Sequence, residues 1–338
     1  MKTSPLAIGG RALGPGQPCL VVAHAGHAHH GSTGQALRLI DAAFQAGADG
    51  IAFSVFRTNE LVVRRHPERR ELEALELDAK DWRRVLETAR GSGLAVVAEA
   101  FDAPSRDVAL EAGVSALLSH ATDVDHPDLL KALGGAGVPL LLATGGAPDA
   151  AVREALLAAG GETALVLGPA DAPAPVEELR LAAIRAARER FRASVGVLDP
   201  TDGGSAFALV APALAASHGA ELVLKRLVLE RGGRSRDEAA AITPEELHRC
   251  VELLRQAERA AGEAPVDDDA RTLARGRSIV AAGLIARGEV LTAEQLRFKR
   301  TADRAGRGLR PSEAVRVIGR RAARPIQADE AIREDMLE

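Results

Sequence analysis

Eight short apolar runs recur along the chain up to residue 224. They are 19–23 (CLVVA), 50–53 (GIAF), 94–98 (LAVVA), 114–118 (VSALL), 138–143 (VPLLLA), 164–168 (ALVLG), 194–198 (SVGVL) and 220–224 (AELVL). None alternates apolar with polar residues, so each reads as a strand buried on both faces, the pattern of a parallel sheet. Between and after them lie stretches of helical period, near 34–46, 81–92, 104–112, 126–136, 148–159, 176–190, 204–217 and 243–262. Eight strand–helix units in order predict an α/β fold, a (β/α)8 barrel of the TIM type. An open doubly wound sheet is the other arrangement such alternation allows; the closing count of eight favours the barrel.

Helix starts agree with this parsing. Thr243-Pro244-Glu245-Glu246 supplies a capping hydroxyl, a proline at the first helical position and a carboxylate three residues after the cap. Thr292 and Gln295 repeat the device further on. Beyond residue 262 the rhythm stops. Residues 263–276 are polar, charged and aperiodic, which predicts a linker. Residues 277–338 carry short β-like runs punctuated by Gly283 and Gly288. They predict a second domain, too small to be more than marginally stable by itself. The expected division is therefore a barrel over 1–262, a linker over 263–276 and a small domain over 277–338.

Composition narrows the function. With 46% hydrophobic and 27% charged residues, the chain has the balance of a soluble globular protein. Aromatics make up only 2%, with no Tyr and one Trp, which leaves few stacking platforms for single-stranded nucleic acid. A net charge of −4 and a pI near 6.2 argue against a polyanion-binding face, so no nucleic-acid partner is expected. No run reaches the roughly 18 apolar residues of a membrane helix. The opening MKTSPLAIGG lacks the apolar stretch of a signal peptide. Cys19 and Cys250 lie too far apart in sequence for a metal knuckle and suggest no disulfide framework. Together these features predict a cytoplasmic protein with no membrane partner.

Candidate chemistry sits at the strand ends, where barrels of this kind carry their sites. His24, His27, His29 and His30 crowd the loop after the first strand, and His120, Asp123, Asp125 and His126 follow the fourth. Together they offer mixed nitrogen and oxygen ligands for a metal. The plainer reading is a set of solvent-facing loop histidines and a helix start at Asp125-His126-Pro127. Glu99, Asp102, Asp199 and Asp202 mark other strand ends, each a base, a ligand or a loop hydrogen-bond acceptor. No glycine-rich phosphate loop and no Ser/His/Asp arrangement is identifiable; Gly145-Gly146 reads as a turn.

Several segments, taken in order, resemble one family. Residues 23–31 (AHAGHAHHG) stand where its pattern has AEIGVNHNG, and 39–53 (LIDAAFQAGADGIAF) resemble its second barrel unit. Residues 138–145 resemble its PVILSTGM stretch, 243–262 its last barrel helix, and 277–326 its C-terminal domain. The family is that of the sialic acid (N-acetylneuraminate) synthases, a NeuB-like barrel followed by a β-clip-like SAF, or antifreeze-like, domain. The resemblance implies condensation of phosphoenolpyruvate with an amino sugar, assisted by a divalent metal such as manganese. It also implies a homodimer in which each SAF domain caps the partner's barrel. Arg300 would then touch a sugar-like ligand, and Thr144 and Gly145 would lie along the substrate site.

The chain departs from that pattern where the chemistry is done. The family's SDHT is Leu198-Asp199-Pro200-Thr201 here, and its EKH is Leu224-Lys225-Arg226. Pro200 and Arg226 thus occupy two metal-ligand histidine positions. The carboxylate of the first loop is His24, the lysine and glutamine of VKFQ are Ala52 and Ser54, and the lysine of KIAS is Leu118. An acidic residue after strand four survives as Asp123, as do Lys225 and Arg300. The expectation is a degenerate synthase-like protein of amino-sugar biosynthesis with no metal cofactor, His24, Asp123 and Lys225 being its candidate catalytic groups. The alternatives are an enzyme with altered sugar-related chemistry and a working synthase despite the substitutions.

Overall fold

A computed structural model describes residues 6–169, 171–232, 238–261, 276–301 and 308–338. Each of the eight apolar runs is a strand. These are β1 (Leu20–Gly26), β2 (Gly50–Val55), β3 (Ala95–Ala100), β4 (Ala116–Ser119), β5 (Leu140–Ala143), β6 (Thr163–Leu167), β7 (Val195–Asp199) and β8 (Leu222–Arg226). They form a closed barrel in sequence order, with β8 paired in parallel to both β7 and β1. The helices between them are α1 (Thr33–Gln45), α2 (Ala79–Gly91), α3 (Ala103–Glu111), α4 (Pro127–Gly134), α5 (Asp149–Ala159), α6 (Ala182–Phe191), α7 (Phe207–Ser217) and α8 (Pro244–Ala261). Two short helices, Thr58–Leu61 and Arg69–Leu75, lengthen the β2–α2 connection beyond what the apolar periodicity indicates.

Strand parity sorts the side chains into two cores. Leu20, Val22, Ala52, Val97, Leu118, Leu141, Val166, Leu222 and Leu224 point inward and fill the barrel. Their neighbours Val21, Ala23, Ile51, Phe53, Val96, Ala98, Leu117 and Val223 point outward and pack under the helices. Fully burying a Val or Leu contributes roughly 1.5–3 kcal/mol, so both layers resist any shift of register. Ile8, within a ribbon of Ala7–Ile8 and Arg11–Ala12, and Leu13 just after it join the inner cluster at its N-terminal end.

The strands run past their apolar stretches into polar residues. Parity then sets where each polar side chain goes. His24, Ser54, Glu99 and Arg226 continue the inward rows, whereas Asp199 and Lys225 continue the outward ones. The expected cap of α8 forms, with the Thr243 N–H and hydroxyl donating to Glu246 Oε2 at 2.8 and 3.1 Å.

The chain divides into two compact units between Gly262 and Glu263. The linker expected over 263–276 lies outside the described residues apart from Gly276. In the second unit β9 (Ser278–Ala281) pairs antiparallel with β10 (Leu296–Lys299). Around them Ile279, Ile285, Leu291, Val317, Ile326, Ile332 and Met336 form a small core of their own. Thr292 and Gln295 make the reciprocal capping box expected from their spacing. No helix among the described residues is long and apolar enough to cross a membrane.

Candidate active site at the barrel mouth

The C-terminal mouth of the barrel gathers polar groups from β1 to β4. His24 closes the inward row of β1, next to a register shift between His24 and Gly26 that re-aims the strand end. Ser54 on β2 and Glu99 on β3 are register partners, and the Ser54 hydroxyl donates to Glu99 Oε2 at 2.5 Å. His24 Nε2 lies 3.5 Å from the same oxygen, long for a hydrogen bond but well within charge range. His24 and Glu99 are only 3% and 5% exposed. Burial pushes the Glu99 carboxyl up, but His24, then His120 and Ser54, outweigh it and hold the group near 2. Glu99 is therefore an ionised carboxylate in an almost dry site.

The rim above carries His120 and Asp123. His120 caps the turn that opens at Ala121, its Nδ1 2.7 Å from the Thr122 hydroxyl. Asp123 is half-buried, and burial raises its carboxyl above the usual range although His120 and His126 pull it down. Neither ring nitrogen of His24 and not the Oδ2 of Asp123 has a hydrogen-bond partner within the described chain. Folded proteins rarely leave buried polar atoms unpaired, so both groups are disposed to receive an oxygen from a ligand or water.

The other candidates fall into structural roles. Asp102 caps α3 through Ser105 N–H at 2.7 Å and accepts Arg57 N–H at 3.0 Å. Asp202 accepts the N–H of Gly204, and His126 caps α4 at Leu129 N–H. His27 rests edge-on against Phe56. His29 lies behind the barrel wall against Trp82 and Phe53, where burial drives its pKa down to about 3. His30 is exposed with φ +47°.

Lys225 does not face the mouth. Its ammonium is buried on the outer side of the wall, 2.8 Å from Asp199 Oδ2 and 3.2 Å from the Thr201 hydroxyl. The structure thus brings His24 and Asp123 to one end of the barrel and sets Lys225 apart. Thr144 and Gly145 lie after β5 and help line a cavity of about 510 Å³ with Leu167, Arg180 and Arg190. The Thr144 hydroxyl donates to Val166 O, while Gly145 has φ +56° and leaves only 3.0 Å between an added Cβ and Ala121 Cβ. Turn geometry alone accounts for that glycine. Arg300 is exposed, immediately after β10 of the second unit.

Sequence reasoning named Glu99 among four equivalent carboxylates and missed its union with His24 and Ser54. The signal was the inward parity of all three, which becomes readable only once strand register is known.

A family model for the NeuB family matches residues 39–265, and one for the SAF domain matches residues 276–338. The chain belongs to the NeuB family. An uncharacterised protein of Methanocaldococcus jannaschii is 27% identical, the match covering 98% of each chain. The N,N'-diacetyllegionaminic acid synthase of Legionella pneumophila is 26% identical, with 93% of each chain covered. A sialic acid synthetase of Leptospira borgpetersenii shares the fold at a TM-score of 0.72 and 23% identity, over 78% of this chain and 92% of that one.

In this NeuB-family barrel the residues present do not fit the divalent metal that the resemblance implies. Pro200 offers no ligand atom, and the Arg226 guanidinium, register partner of His24, repels a cation. Among the described residues no group of three or more His, Cys, Asp and Glu is placed to hold a metal ion. Ala52 and Leu118, which stand where the resemblance puts two lysines of the family pattern, are 0% and 1% exposed within the apolar inner cluster.

Proposed function

We propose that the chain serves carbohydrate biosynthesis as a synthase-like protein that acts on a sugar-derived ligand without the metal-dependent condensation of phosphoenolpyruvate. The pathway class rests on the relatives, which include legionaminic and pseudaminic acid synthases and a spore coat polysaccharide biosynthesis protein. The change of chemistry rests on one observation: the barrel floor at Ala52 and Leu118 is sealed with aliphatic groups.

Phosphoenolpyruvate carries about three negative charges, more than the single inward guanidinium of Arg226 offsets, and burying the remainder unpaired costs several kcal/mol each. The ionised Glu99 in the same mouth adds repulsion. His24 and Asp123 are the working groups in this reading, with Thr144 and Gly145 as ligand contacts. Calorimetric titration with phosphoenolpyruvate, with and without manganese, is expected to give no heat of binding up to millimolar concentration. Micromolar, manganese-dependent binding would overturn the reading.

A further inference from the structure

The His24–Glu99 pair is not explained by the metal or phosphate positions that the chain has lost. Resting on the carbohydrate reading above, we propose that His24, Glu99 and Asp123 form an acid–base centre that opens and closes the hemiacetal ring of an uncharged reducing sugar. His24 takes the proton of the anomeric hydroxyl, and Asp123 gives a proton to the ring oxygen.

Three observations support the assignment. Glu99, ionised and 3.5 Å from Nε2, favours the His24 tautomer with its hydrogen on that nitrogen. The lone pair is then on Nδ1, which has no partner among the described residues. The Ser54 hydroxyl holds the carboxylate in place from β2, so Glu99 is a positioning residue and His24 the group that moves the proton. Asp123, in electrostatic contact with Glu99, carries its own unpartnered oxygen, and burial raises its carboxyl above the usual range.

Aromatic rings border the mouth beside the charged groups. The chain has seven Phe and one Trp. Phe56 packs edge-on against His27 and Phe101, and Phe101 lies against His120, whereas Phe53, Trp82 and His29 pack behind the barrel wall. Phe101 lies 5.2 Å from the His120 ring and is partly exposed, offering an apolar face to a sugar ring.

The step balances without a co-reactant. The anomeric O–H bond breaks and its proton passes to Nδ1, while the remaining oxygen forms the carbonyl. The bond from the anomeric carbon to the ring oxygen breaks, and that oxygen takes the Asp123 proton. Closure on either carbonyl face returns both protons and exchanges the anomers.

The test is two-dimensional exchange NMR between the anomers of N-acetyl-D-mannosamine in the presence of the full chain, with saturation transfer on the same samples to read binding. Exchange of bound sugar is expected to exceed the buffer rate by about 100-fold, within the ordinary range of general acid–base catalysis. His24→Gln and Asp123→Asn, each checked for folding by circular dichroism, should lose at least about tenfold while still binding sugar. Glu99→Gln should lower the exchange rate of bound sugar while leaving sugar binding unchanged, because the carboxylate that orients the His24 ring and sets its tautomer is gone. The other charged groups around His24, namely Arg226 on β8 and His120 and Asp123 after β4, stay in place. Binding without acceleration, or full acceleration in folded His24→Gln, would overturn the acid–base centre and leave the carbohydrate reading standing. No binding would overturn both.

Discussion

Lys225→Met is expected to destabilise the barrel by about 3–5 kcal/mol, the usual cost of removing one partner from a buried ion pair. Lys225 and Asp199 are 0% and 1% exposed, so neither charge has water to fall back on. Without the ammonium, Asp199 keeps only the Thr201 backbone N–H at 2.9 Å and its hydroxyl at 2.7 Å. Replacing both members, as Lys225→Met with Asp199→Leu, should recover most of the loss, because apolar residues of similar size satisfy such a site. Urea unfolding of the three variants beside the parent chain checks this. If Lys225→Met alone unfolds at the parent's midpoint, the pair is not the strut between β7 and β8 that the geometry indicates.

Acid should weaken the fold well above the carboxylate range, and His29 is the reason. Its ring is fully buried against Trp82 at 5.3 Å, and its Nδ1 accepts the Gly31 N–H at 3.1 Å. Burial is the main cause of a fall in its pKa from 6.5 to about 3, with His27 and His30 adding repulsion. The unfolded chain therefore takes up a proton below pH 6.5 that the folded chain refuses until about pH 3. Stability is whole above pH 6.5 and declines as pH falls. At pH 4.5 the loss is about 3 kcal/mol, two pH units at about 1.4 kcal/mol each.

Glu99 does not offset this. Its lowered pKa contributes stability that is present above pH 4.5 and lost only as pH falls toward 2. Unfolding free energies at pH 7 and pH 4.5 for the parent and for His29→Gln, which cannot charge, isolate the effect. The parent should lose about 3 kcal/mol more than the variant between the two pH values. Equal losses would mean that His29 is protonated in the folded state.

The barrel was legible in the sequence because parallel strands are covered on both faces and therefore read as unbroken apolar runs. Most of its helices were legible because they keep one apolar stripe toward the barrel, although α7 (FALVAPALAAS) is apolar on nearly every side. What the apolar runs hid was the polar end of each strand. His24 and Lys225 both follow apolar stretches, yet one points into the mouth and the other into the wall, by parity alone. The four histidines of the first loop look alike in sequence. Only the fold separates His24, beside Glu99, from His29, sealed behind Trp82. Residues such as Asp102 and His126 were ambiguous for a related reason: a helix cap and a catalytic carboxylate or imidazole draw on the same residue types at the same strand–helix junctions.

Incubation of the full chain with phosphoenolpyruvate, N-acetyl-D-mannosamine and manganese, with analysis for phosphate release and a nine-carbon sugar acid, tests most directly whether the chain carries out the metal-dependent condensation. Neither product is expected above the enzyme-free control. Stoichiometric release of phosphate with formation of the sugar acid, abolished by chelating the metal, would contradict this expectation and restore a working synthase despite Pro200, Arg226, Ala52 and Leu118.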